Sequence, residues 1–168
     1  MSIEKVLVSL IVAFFQGLAV TIIIFNQLDE KMFKKRLIFF MLLYIYAVIG
    51  FLFIPNQLRF LLFVTLIAFF IYLILNHKNK KVIVYAFNTE ILLSLSEVIV
   101  TSFLVLLGIN SVDIVNNYAY NLIANILISL LSIFLINIAF IKKLIYKVLN
   151  LFDKKKNLIN YLYIFLIL

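Results

Sequence analysis

The sequence predicts an all-α fold, a polytopic transmembrane helix bundle of five complete spans plus a truncated sixth, and three observations predict it. First, 67% of the 168 residues are hydrophobic and only 13% are charged, against roughly 45–50% and about 25% in an average soluble domain. Second, mean hydropathy is +1.23 for a chain of 19.6 kDa, and a soluble fold of that size leaves about 30% of its unfolded-state surface in water. Third, the apolar residues form long unbroken runs separated by short lysine clusters. A water-soluble globule, a disordered chain and a DNA-binding domain are excluded together.

The elements follow in order along one domain, residues 1–168. Residues 6–25 form an apolar run too long for a signal-peptide core, with no small-residue cleavage site after it, so it reads as an uncleaved span. About 20 residues at 1.5 Å each cover the ~30 Å hydrocarbon core. Residues 37–54 give the second span, Pro55-Asn-Gln-Leu-Arg59 a tight turn, and residues 60–75 the return. Residues 82–107 and 118–141 are the fourth and fifth spans, both long enough to tilt. None shows the ~10-residue alternation of an outer-membrane barrel.

Orientation comes from the basic residues. Thirteen of the fifteen Lys and Arg lie between the first and second spans, between the third and fourth, or after the fifth, leaving Lys5 and Arg59 for the other side. The positive-inside rule therefore predicts an N-terminus outside the cell. After the fifth span, Leu144, Ile145, Val148, Leu149 and Phe152 recur at helical spacing with lysines on another face. Residues 142–156 thus read as an amphipathic helix on the inner leaflet, held by apolar burial and anionic lipid. Residues 158–168 are apolar but reach only about 16 Å, half a bilayer, and read as a partial sixth span belonging to a longer chain.

Two groups of polar residues stand out. Glu90, Ser94, Glu97 and Thr101 fall within about 60° of arc on the fourth span, and each carboxylate at mid-bilayer costs on the order of 2.5–3.5 kcal/mol unless it faces protein or water. Asn121, Asn125, Ser129 and Ser132 form a stripe on the fifth span. Placing the two spans antiparallel predicts an intramembrane polar contact of Glu97 with Asn125 and Ser129, with Glu90 the shallower acid. The second group is the polar content of the outward loops: Pro55, Asn56, Gln57 and Arg59, and Asn110, Ser111, Asp113, Asn116 and Asn117. Of these, Pro55, Asn56, Gln57, Arg59, Asn110, Asp113 and Asn117 are the candidate ligand-binding residues.

Catalysis has no visible seat. The chain has no cysteine and one histidine, His77, which removes thiolate zinc sites and Cys-based nucleophiles and leaves no His pair for a metal. No phosphate-binding glycine loop is present, and Gly17, Gly50 and Gly108 make no G-x-x-x-G pair. The expected catalytic residues, metals and cofactors are none, and the expected partners exclude nucleic acid.

The order of these features resembles the polytopic sensor half of the accessory-gene-regulator type of peptide-responsive sensor histidine kinase, in the broad GHKL-ATPase class. The likeness rests on the hairpin Ile54-Pro-Asn-Gln-Leu-Arg59, the Lys-rich loop, the helix with Ser94-Leu-Ser-Glu97-Val-Ile, and the Asn-spaced helix ending in lysines. It implies a multi-pass protein of the bacterial cell membrane, an extracellular peptide signal, a homodimer, and a response regulator reached through a kinase part beyond this chain. No catalytic residue is carried over. The competing expectation is a small transporter, or the substrate-binding membrane subunit of one.

Overall fold

The computed structural model describes residues 3–28, 32–53, 56–75 and 81–138. Among them the fold is all-helical: α1 (Ile3–Gln27), α2 (Phe33–Phe53), α3 (Asn56–Leu75), α4 (Lys81–Leu106), α5 (Ser111–Asn116) and α6 (Tyr118–Asn137). Three of these, α1, α4 and α6, are long and apolar enough to cross a membrane, and α3 contributes a shorter apolar stretch, Leu62–Ile74. The expected interfacial helix at 142–156, the partial span at 158–168 and the His77 loop lie outside the described residues.

α1 is the axis of the bundle. It packs on α2, α4 and α6, while α4 also packs on α3 and α6. Its burial is sequence-driven: Val12, Ala13, Ala19, Val20, Ile23 and Ile24 are almost wholly enclosed. Small residues recur every fourth position, Ser9, Ala13, Gly17 and Thr21, and all four are buried. Gly17 brings the α1 backbone close to α2, where a Cβ would stand 3.6 Å from the Tyr44 amide nitrogen and from the Phe40 ring. The expectation drawn from glycines alone missed this stripe, because Ser, Ala and Thr serve the same purpose in membrane helices.

Aromatic pairs fix the direction of the neighbours. Phe14 meets Phe40 and Tyr44, with ring centroids 5.5 and 6.4 Å apart, and Phe25 meets Phe39 at 5.7 Å. Late residues of α1 therefore face early residues of α2, and the pair is antiparallel. Phe39–Phe70 at 6.4 Å and Tyr46–Phe63 at 5.9 Å make α2 and α3 antiparallel as well. These contacts feed one core: Val20, Ile24, Phe25, Phe39, Leu43, Ile67, Ile71, Val82, Ala86 and Leu93. At its edge the Arg36 guanidinium sits 5.3 Å from the Phe25 ring centroid, a cation–π contact at the shared end of α1 and α2.

Three differences from the sequence expectation bear on the candidate residues or the path of the chain. α3 begins at Asn56 rather than residue 60, so Asn56, Gln57 and Arg59 belong to its opening turns; Pro55 lies outside the described residues. α6 ends at Asn137, four residues before the expected 141, because Ile138 takes extended dihedrals (φ −69°, ψ 124°) and its N–H bonds back to the Leu135 carbonyl. Finally, the stretch between α4 and α6 is not a plain loop but holds α5.

That connection has specific causes. Gly108 takes φ +86°, a left-handed conformation that a Cβ disfavours. The Gly108 N–H bonds to the Val105 carbonyl (2.9 Å) and the Ile109 N–H to the Leu104 carbonyl (3.1 Å). This is a Schellman closure, and Ile109 packs on the cluster containing Leu104, the hydrophobic contact that accompanies the motif. Asn110 then caps α5 by accepting from the Val112 N–H, and Asn117 caps α6 by accepting from the Ala119 N–H.

Candidate functional site

Polar side chains in the helix interiors collect along α1, α4 and α6. The Gln16 amide donates from Nε2 to Asn125 Oδ1 at 3.0 Å. Asn125 Nδ2 in turn donates to the Asn121 carbonyl (2.8 Å) and to Asn121 Oδ1 (3.2 Å). Ten residues further along α1, Asn26 Nδ2 donates to Asn137 Oδ1 at 3.1 Å. These two amide pairs advance together, so α1 and α6 run parallel. Gln27 Nε2 reaches Thr89 Oγ1 at 3.5 Å, joining the end of α1 to the first half of α4.

The hydroxyls largely satisfy themselves. Thr21, Thr89, Ser96 and Ser129 each donate to the carbonyl four residues earlier, at 2.7, 2.8, 2.7 and 2.9 Å. Thr101 does the same toward the Glu97 carbonyl, and Ser132 bonds to the Ser129 carbonyl at 2.8 Å. Such back-bonding suits an apolar solvent, since no neighbour is needed to satisfy the donor. It takes Ser129 and Thr101 out of the inter-helix contact expected of them.

The expected Glu97–Asn125 contact is corrected. Asn125 is occupied by Gln16 and Asn121, whereas Ser94 and Glu97 are exposed on the outer surface of α4. Helical arcs show which residues share a face of one helix but not which helix lies opposite, and α1 stands where α4 was expected. Burial separates the two acids. Glu90 and Glu97 lie equally far from the midpoint of α4 (Lys81–Leu106), about 5 Å along the axis on either side. The enclosed acid is Glu90, 7% exposed, and its Oε1 has no hydrogen-bond partner among the described residues. Gln27 Oε1 and Asn88 Nδ2 are also buried without partners there.

Of the loop candidates, Asn110 and Asn117 are the two caps just described, so their side-chain oxygens are committed to backbone N–H groups. Asp113 lies in the first turn of α5, where a carboxylate favours the positive end of the helix dipole. Asn56, Gln57 and Arg59 fall at the start of α3, on a different connection from α5. What the structure adds at α5 is an open concavity of about 400 Å³ lined by Ser111, Val112, Val115 and Asn116. Val112 and Val115 are 58% and 70% exposed at its wall. The sequence signal for them, two valines three apart between two capping asparagines, was present but short.

Among the described residues, no three His, Cys, Asp or Glu side chains come together. Comparison with protein-family models, curated proteins and solved structures finds no match.

Proposed function

We propose that this chain is the membrane input region of a sensor histidine kinase that responds to an extracellular peptide. In this reading α1, α2, α3, α4 and α6 cross the bilayer alternately with the N-terminus outside, and a kinase part beyond this chain passes the signal to a response regulator. The apolar stretches of α2 and α3, at residues 37–53 and 60–75, would cover about 24–26 Å. Arg36, next to the first of those stretches, would extend it by snorkelling to the headgroups, and local thinning of the bilayer would make up the remainder. Antiparallel α1–α2 and α2–α3 pairs and a parallel α1–α6 pair are what such an alternating path requires.

The observation that carries the proposal is the α5 concavity, capped at both ends by asparagine and walled by two exposed valines. An open surface on α5, with two exposed valines in the connection between α4 and α6, suits contact with a short peptide. The test uses the lack of cysteine. A Val112→Cys or Val115→Cys chain carrying a benzophenone is irradiated in cells bathed in their own conditioned medium. Covalent capture of a short peptide, competed by unlabelled medium, is the expected result. Capture of lipid alone at both positions would refute it.

One observation favours transport instead: two carboxylates near the middle of α4, where a substrate site would lie. The unbroken courses of α1, α4 and α6 favour sensing, because midplane sites are typically built on interrupted helices. Substrate uptake into vesicles holding the chain alone would decide for transport.

A further inference from the structure

Glu97 and Ser94 are exposed near the middle of α4, and neither side chain has a hydrogen-bond partner among the described residues. Thr101, one turn further, spends its hydroxyl on the Glu97 carbonyl rather than on the carboxylate. The surroundings are apolar: Leu95, Val98 and Ile99 are all exposed beside Glu97. Glu90 lies seven residues away, on the same side of the helix, enclosed and with Oε1 unpartnered. Two acidic groups therefore serve one face, the outer one uncovered at the depth where lipid solvates it worst.

The chemistry of that face restricts what can cover it. A lipid chain offers no donor. The described apolar helix segments of a second copy bring no cation to that depth, since residues 6–28, 39–53, 62–74, 82–106 and 118–137 contain no Lys or Arg; two such faces would set acid against acid. The complement of an uncovered carboxylate in hydrocarbon is a cationic side chain, which neutralises it and donates to it at once.

We infer that the Ser94–Glu97 face of α4 docks a membrane-spanning helix of a different protein, one that carries a lysine or arginine near the bilayer centre. The inference rests on α4 spanning a membrane and not on peptide capture at α5, so the two can fail separately.

The test places the full chain, labelled at Ser111→Cys, in phosphatidylcholine vesicles with a poly-leucine transmembrane peptide bearing one central lysine. The same peptide with leucine there is the reference, and energy transfer reports association. The lysine peptide should associate about 10-fold more tightly. Glu97→Leu should abolish the difference, Glu97→Asp should keep most of it, and Glu90→Gln should leave it standing. Equal association of both peptides overturns the inference, as it would if residues 139–168 already held the face. An advantage that survives Glu97→Leu overturns it too.

Discussion

Gln16 and Asn125 make a pair in which each amide compensates the other, while Glu90 is enclosed without such help. These opposite situations predict opposite mutational signs. Replacing Gln16 or Asn125 by Leu should destabilise the bundle, and a double-mutant cycle should return a coupling of about 0.6–2 kcal/mol, read from detergent-driven unfolding in mixed micelles. A coupling near zero would mean that the two amides do not hold α1 to α6. Glu90→Leu should raise stability by about 1 kcal/mol or more, since it removes a buried acceptor that has no partner among the described residues; a loss in the same titration would show that Glu90 has a partner after all. At this scale the sequence was half legible. That Glu90 and Glu97 share a face of α4 could be read from spacing. That Asn125 answers Gln16 could not, because Gln16 and Asn26 are isolated amides in an apolar run. The amides are ten apart on α1 and twelve apart on α6, a spacing that fits parallel and antiparallel helices alike, so only the contacts themselves give the pairing.

The five long helices were legible from their apolar runs, because length and hydropathy are additive along a chain and need no knowledge of neighbours. Their ends were less so. Asn56, Gln57 and Arg59 are polar enough to look like a turn, yet helical geometry continues through them. The α4–α6 connection was missed for another reason: six residues carry too little periodicity to announce α5. The punctuation around it was nevertheless in the sequence, as a glycine, then an asparagine on either side of the short helix. Gly108 fixes where α4 stops, and its positive φ makes it the sensitive position. Gly108→Ala should cost about 1–2 kcal/mol. It should also speed hydrogen exchange at the Gly108 and Ile109 amides, the two that close the Schellman motif. A Cβ at Gly108 would stand in open space, with no atom within 4 Å, so the cost is conformational and not steric. Exchange rates unchanged from the parent would show that alanine holds the turn equally well.

Across the molecule, helix directions and charge placement constrain each other. The aromatic pairs make α1 and α2 antiparallel, the same kind of pairs reverse α3 on α2, and the two amide bridges make α6 parallel to α1. For α6 to lie parallel to α1 in a bilayer, the path through α2, α3 and α4 must reverse at each connection, which is the path the lysine clusters predict independently. If both are right, residue 111 lies outside and residue 33, beside Lys34 and Lys35, lies within. Because the chain has no cysteine, one introduced thiol reports one position. Ser111→Cys should react with a membrane-impermeant maleimide on intact cells, and Phe33→Cys only after permeabilisation. A reversed pattern would invert the bundle and move α5 away from any extracellular peptide while leaving every helix contact intact. Labelling of both thiols on intact cells would break the alternation itself and return α2 to the surface. The first result would defeat the sensor reading alone; the second would defeat it too, while α3 and α4 would still cross and the bilayer argument at Glu97, which needs only α4 to span, would stand.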